Sequence, residues 1–391
     1  MNLTRCFFSS HSVTLKTATL ACIKSFVRYL PMQKISLLLA VTLFAVSCGS
    51  SSSGNQIAFD RSSFDTRIAF ADFDGIFVMD PDGTDRCSGG RGGGAFSWSP
   101  DGSQIAFTHW KKDDPYPGEI FVMYADCTGI YSTGQKGNSA EWSPDGNQIA
   151  FSSERAGDSE IFVMNADGTE VRQLTNNNLS RDETPEWSPD GNQIAFSSDR
   201  TAGNDNEIFV MNADGTDIYS TGKQGDHFSW SPDGSQIIFE DKNNMILVTD
   251  RADGIGGSLN LSKTAGLGLY DELFGWIHLD ENPEWSPDGS QIAAWTCCER
   301  IVVMDADGTS AYDLIKLSWE DGLRPSAIAS ACDNCWEILN GFSWSPDGSQ
   351  IAFVASFRND SYYKIFVINA DGTGLYSTGR EGRNPKWSPD G

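Results

Sequence analysis

The sequence predicts an all-β fold, a seven-bladed β-propeller of four-stranded antiparallel blades with one blade closed by both ends of the chain. Three observations carry this. The string Trp-Ser-Pro-Asp-Gly occurs seven times, with its Trp at Trp98, Trp142, Trp187, Trp230, Trp285, Trp344 and Trp387. A second element of the form Ile-Phe-Val-Met-Asn-Ala-Asp-Gly-Thr recurs once per period, as at Ile161–Thr169 and Ile208–Thr216, and in degenerate form at Ile246–Gly254. The Trp-to-Trp spacings run from 43 to 59 residues, the repeat length of a propeller blade rather than of a helical array.

Each period reads as four short strands, a to d. Strand a ends at the Trp, and Pro-Asp-Gly turns the chain, since Pro presets φ and Gly accepts positive φ. Strand b is the Gln-Ile-Ala-Phe run, such as Gln148–Phe151. Strand c is apolar on both faces, with Ile161 and Val163 on one and Phe162 and Met164 on the other. An exposed sheet would alternate apolar with polar, so two-sided apolarity places each sheet between neighbours. Asp-Gly turns the chain again into strand d, as in Ile218-Tyr219-Ser220-Thr221. The chain ends on a strand a with its turn, Lys386–Gly391. It offers two candidates for the matching strand b, Asn55–Phe59 and Ile68–Phe70, and the pattern leaves the choice open.

In front of this domain, residues 1–47 hold five basic and no acidic residues. Ile35 to Val46 is a 12-residue apolar run, too short to span a bilayer core, which needs about 20 residues. Ala45-Val46-Ser47-Cys48 resembles a lipobox, and the whole resembles a bacterial lipoprotein signal. That resemblance implies lipidation at Cys48, with a Ser/Gly tether over 48–54 ahead of the propeller domain that the repeats place over 55–391. It also implies an extracytoplasmic location on the cell envelope, outer membrane or periplasm where there are two membranes. The natural start is expected at Met32.

The repeat elements resemble those of the TolB-type propellers and of the propeller domains in prolyl-oligopeptidase-type enzymes. The resemblance covers nearly all of 55–391 and implies scaffold rather than chemistry. TolB-type proteins have six blades and a preceding α/β domain; seven blades are counted here, with no room for that domain between Cys48 and Asn55.

Composition excludes some functions. The chain has 391 residues, 28 basic and 53 acidic, a formal charge of −25. That argues against nucleic acid as a partner. No G-x-S-x-G elbow, P-loop, H-E-x-x-H or Rossmann fingerprint is present, so neither catalytic residues nor a cofactor is expected. The propeller class of oligogalacturonate lyases holds a metal with several His; here only His109, His227 and His278 follow the leader. The Asp pairs Asp72/Asp74, Asp80/Asp82 and Asp305/Asp307 lie in turns too short for an EF-type calcium loop. No metal is expected.

Six cysteines remain after the leader and Cys48: Cys87, Cys127, Cys297, Cys298, Cys332 and Cys335. In an exported domain they are candidates for disulfides, Cys87 with Cys127 between adjacent blades and the others within the sixth repeat.

Antiparallel connectivity places the a–b and c–d turns on one face and the b–c loops and d-to-a crossings on the other. The second face varies between repeats and carries the insertions near 256–283 and 311–341. His109, Trp110, Tyr116, Tyr270, Trp276, Trp319 and Trp336 are therefore the candidate binding residues. The expected function is that of a monomeric, non-catalytic, lipid-anchored propeller binding a protein or envelope component. The alternative is a propeller enzyme, of lyase or hydrolase type, acting on glycans or peptides in the central pocket.

Overall fold

The computed structural model describes residues 66–389 except 73, 91–92, 112–113, 178–179, 202–205, 226, 242–244, 250–256, 262–282, 297–299, 317–340 and 356–362. Cys48, the 48–54 tether, Asn55–Phe59, Tyr270, Trp276, Trp319, Trp336, His278, Cys297, Cys298, Cys332 and Cys335 therefore lie outside the described residues.

Seven four-stranded antiparallel sheets form a ring. Blade 1 joins Arg383–Trp387 to Ile68–Ala71, Ile76–Met79 and Cys87–Ser88. Blade 2 is Gly93–Trp98, Gln104–Lys111, Asp114–Tyr124 and Tyr131–Lys136. Blade 3 is Asn138–Trp142, Gln148–Ser153, Glu160–Asn165 and Arg172–Gln173; blade 4 is Asp182–Trp187, Gln193–Ser198, Glu207–Asn212 and Tyr219–Gln224. Blades 5, 6 and 7 start at Phe228–Trp230, Glu284–Trp285 and Phe342–Trp344. Among the described residues no helix is long and apolar enough to cross a membrane.

Ile68–Ala71 fills the role of strand b in the closing blade, with Ile68 opposite Trp387 and Ala69 opposite Lys386. Arg67 and Ser388 fasten the end of this ladder. The Ser388 N–H donates to the Arg67 carbonyl at 2.7 Å, and the Arg67 N–H to the Ser388 hydroxyl at 2.8 Å.

The apolar cores lie between blades. Ile161 and Val163 pack toward blade 4 with Trp187, while Phe162 and Met164 pack toward blade 2 with Trp142. Seven such clusters are found, one at each boundary. All seven repeat tryptophans are buried in them. This follows from the two-sided apolar strands: each face has to be covered by a neighbouring sheet, and the ring supplies one for each.

The turns explain the repeat. In the third copy, the Asp145 carboxylate accepts the Ser143 hydroxyl at 2.6 Å and the Asn147 N–H at 3.0 Å, while Gly146 takes φ 71°. In the c–d turn, Asp167 accepts the Thr169 N–H and hydroxyl at 3.0 and 2.6 Å. These are Asx-type turns whose carboxylates are used locally. The same holds at Asp82 and Asp307, two of the residues weighed for calcium.

Cys87 and Cys127 form a disulfide between blades 1 and 2, with Cα atoms 5.8 Å apart. Cys127 occupies the turn position that Gly168 and Gly215 hold elsewhere, and keeps their left-handed backbone at φ 61°. A side chain there is strained, and Cys127 bears that strain to form the staple.

Candidate functional site

The inner strands a line a central channel of about 610 Å³. Two rings of residues follow from their pleat. One position before each Trp stand Ser97, Glu141, Glu186, Ser229, Glu284, Ser343 and Lys386, all on the channel wall. Three positions before the Trp, toward the b–c face, stand Ala95, Ser139, Thr184, His227, Gly341 and Asn384. Ser139, Thr184 and Asn384 have left-handed φ of 51°, 50° and 48°. Strand pairing slips at these points in blades 1, 3 and 4, marking bulges on the inner strands. Bulges re-aim side chains and are frequent at barrel rims and active sites.

The inner ring is an unusual electrostatic environment. Each of its glutamates keeps partial contact with the channel but is enclosed by the surrounding blades. Burial raises the Glu141 carboxyl above the usual range, opposed by Lys386 and by the Ser97 hydroxyl. Burial pushes Glu186 up to about 8 against the Trp230 N–H and Ser229 hydroxyl that donate to it, both at 3.1 Å; the Glu141 charge adds to the rise. Burial likewise pushes Glu284 up to about 8 against Lys386 and the Trp344 N–H, with Glu186 adding to the rise. At neutral pH Glu186 and Glu284 are therefore mostly protonated. The ring can donate or accept hydrogen bonds, exchange protons and hold charge opposite the Lys386 ammonium.

Sequence reasoning missed this ring. The signal was present: the residue before each Trp switches among Ser, Glu and Lys while the Trp-Ser-Pro-Asp-Gly that follows it stays fixed.

Of the candidate binding residues, Trp110 is not part of the channel wall but lies against Gly94, which is, with 39% of its own surface exposed. Its indole N–H donates to Asn138 Oδ1 at 3.4 Å. The ring lies over Gly94 of strand a and Gly118 of strand c. A Cβ would fall 2.4 Å from the indole at Gly94 and 2.7 Å from it at Gly118, so both strands leave space for it. His109 is half-buried, edge-on to Phe121 at 5.7 Å, and is not part of the channel wall. Tyr116 lies in strand Asp114–Tyr124. The b–c connection His109–Glu119 continues the strand ladder, with His109 opposite Glu119 and Lys111 opposite Asp114. His227 lies at the channel mouth, half exposed, with Nδ1 3.8 Å from Glu240. His109 and His227 thus do not converge. Among the described residues no group of three or more His, Cys, Asp or Glu is arranged to hold a metal.

A family-scale match and several solved structures bear on this architecture. Residues 55–322 match the TolB beta propeller domain, and the chain belongs to that family. No curated protein sequence matches the chain. Among solved structures, a functionally unknown protein from Desulfotomaculum acetoxidans is similar at 13% identity and TM-score 0.56, over 84% of this chain and all of that one. TolB from Acinetobacter baumannii aligns at 15% identity and TM-score 0.48, over 82% of each chain. Oligogalacturonate lyase from Vibrio parahaemolyticus aligns at 14% identity and TM-score 0.44, over 60% of this chain and 62% of that one.

Proposed function

We propose that this TolB-type propeller is a lipid-anchored, extracytoplasmic protein that binds a protein or cell-envelope component through its b–c face and channel mouth, with no chemistry of its own. The contrast between the two faces carries this reading. The a–b and c–d turns repeat one hydrogen-bonding pattern and use their carboxylates internally. The b–c face differs blade by blade and presents His227 and the bulged Ser139, Thr184 and Asn384 around one opening, with the exposed Trp110 beside it against Gly94. An exposed aromatic beside varied polar groups is the chemistry of a recognition surface rather than of a scaffold face. Anchoring rests on the Ala45–Cys48 motif; loss of metabolic fatty-acid labelling in Cys48→Ala would support it, and unchanged labelling would refute it.

The decisive experiment is affinity capture from solubilised membranes with two variants. In one, the b–c connections are replaced by short turns; in the other, the c–d turns are exchanged between blades. Partners lost only in the first variant support the reading, and partners unchanged in the first count against it.

One observation favours a second reading. Two carboxyls held near 8 inside a channel have the protonation state of general acids at neutral pH. If the protein is an enzyme, Glu186→Gln and Glu284→Gln will abolish turnover of a glycan or peptide substrate while leaving its binding in place.

A further inference from the structure

A second acidic site lies away from the channel wall, where blade 3 meets blade 4. Glu160 begins strand c of blade 3 and Asp182 begins strand a of blade 4; they are 1% and 0% exposed. Asn177 bridges their carboxyl groups, donating its N–H to Glu160 and its Nδ2 to Asp182, and burial, with the Asp182 charge assisting, raises the Glu160 carboxyl. Each is also held by other groups. Glu160 accepts the Thr175 hydroxyl at 2.6 Å and the Asn177 N–H at 2.7 Å. Asp182 Oδ2 accepts Arg200 Nη2 at 2.6 Å and Asn177 Nδ2 at 2.7 Å. Asp182 Oδ1 is buried with no N–H or hydroxyl donor among the described residues. The backbones are joined as well, the Asp182 N–H donating to the Ser159 carbonyl at 2.7 Å.

Two buried carboxylates bridged by one neutral side chain favour protonation of one of them, because like charges in a low-dielectric interior repel. Arg200 offsets one negative charge only. Its guanidinium is fixed by the Ser198 hydroxyl at 2.9 Å and by the faces of Phe196 and Phe209, 5.3 and 4.6 Å away. The other charged groups nearby serve elsewhere. Arg181 pairs with Glu154 and Glu183, Asp199 accepts the Arg181 N–H, and Arg155 bonds Ser153, Gln135 and the Lys136 carbonyl. Glu207 lies farther along blade 4 and accepts the Ser220 hydroxyl. One carboxyl proton therefore completes the cluster.

We infer that a proton shared by Glu160 and Asp182 is a latch between blades 3 and 4, and that its release at higher pH loosens the segment Asp182–Thr184 that forms part of the channel mouth. Glu160 carries the proton and donates it to Asp182 Oδ1. Burial first, with the Asp182 charge assisting, holds Glu160 above the ordinary carboxyl range against the Thr175 and Asn177 bonds. On deprotonation two anions stand at the boundary with one cation, Arg200, which is bonded to Asp182. The cheapest response is to open the short contact between Ser159–Glu160 and Asp182, since Asp182 is followed by the bulged Thr184. The inference does not depend on what the channel binds.

Hydrogen exchange of the intact protein tests this. After correction for intrinsic rates, the opening constant of the Asp182 amide should rise with pH, by up to about tenfold per pH unit where one proton is lost. In Glu160→Gln, whose amide can donate to Asp182 Oδ1 and cannot ionise, this dependence should fall to the slope shown by amides in blades 6 and 7, which keep theirs. Asp182→Asn removes the facing charge and should flatten it likewise. A pH-independent opening constant in the wild-type protein overturns the latch whether or not either variant folds. So does a folded Glu160→Gln protein that keeps the wild-type slope.

Discussion

Trp387 and Ile68, 319 positions apart in the sequence, face each other in the ladder that closes the ring. The Trp387 indole is 6% exposed and fills the boundary between blades 7 and 1 with Val354, Ile365 and Phe70. Trp387→Ala should destabilise the fold by about 3–5 kcal/mol, the usual range for deleting a buried aromatic. Denaturant unfolding followed by far-UV dichroism measures this. A loss under about 1 kcal/mol would mean that the seam contributes little.

The channel glutamates give stability a definite dependence on pH. Glu186 and Glu284 keep their protons in the folded ring up to about pH 8 but lose them near pH 4.3 when unfolded. Their contribution is therefore full below about pH 4.3 and is lost as pH rises toward 8. The turn aspartates act oppositely. Serine and threonine hydroxyls and backbone N–H groups hold Asp145, Asp167, Asp190 and Asp214 below the usual range, so their contribution is lost as pH falls below about 3.9. The midpoint of thermal unfolding should thus peak in mildly acidic solution and decline toward pH 8. The double variant Glu186→Gln, Glu284→Gln should lose most of the alkaline decline, leaving the share due to Glu141 and Glu160. An unaltered decline would contradict this assignment of the protons.

The Cys87–Cys127 bridge encloses a loop with a sequence separation of 40. Reduction, or Cys87→Ser with Cys127→Ser, should lower stability by about 3 kcal/mol. The left-handed backbone at Cys127 adds a finer prediction. With Cys87→Ser present, Cys127→Gly should be more stable than Cys127→Ser by about 1 kcal/mol, because glycine adopts φ 61° without strain. Equal stabilities would show that the turn relaxes once the bridge is gone.

Trp110 separates binding from folding. Its ring is substantially exposed, so Trp110→Ala should change stability by less than about 1 kcal/mol. It should weaken capture of any partner that uses the channel mouth by roughly tenfold or more, in line with loss of an aromatic anchor. Titration calorimetry with the captured partner reads the affinity, and an unchanged value removes Trp110 from the binding surface.

The parts of the structure that were legible in the sequence are those that every blade has to solve in the same way. Ser143, Asp145 and Gly146 recur because one turn recurs, and Ile161 to Met164 are apolar on both faces because every sheet has two neighbours. The choice between Asn55–Phe59 and Ile68–Phe70 at the seam was illegible because both match strand b. In the structure Arg67 and Ser388 bond beside Ile68. Pro115 and Pro117 punctuate His109–Glu119 like a loop, yet the ladder runs past them toward the tip. The channel ring escaped for a geometric reason. Whether Glu186 points into the channel depends on strand a being innermost and on the bulge at Thr184, neither of which one blade's residues reveal alone.

The bond from Arg67 to Ser388 spans 321 positions, so blade 1 cannot be completed until almost the whole domain is available. Until then, a chain emerging from its amino-terminal side exposes the edge of Ile68–Ala71 and the uncovered flank of the most recently formed blade. Contacts this distant in sequence form slowly, and open strand edges invite pairing between molecules. During synthesis this domain therefore passes through a vulnerable interval, set by the time its last strand takes to arrive, in which chaperone cover matters more than in the finished ring.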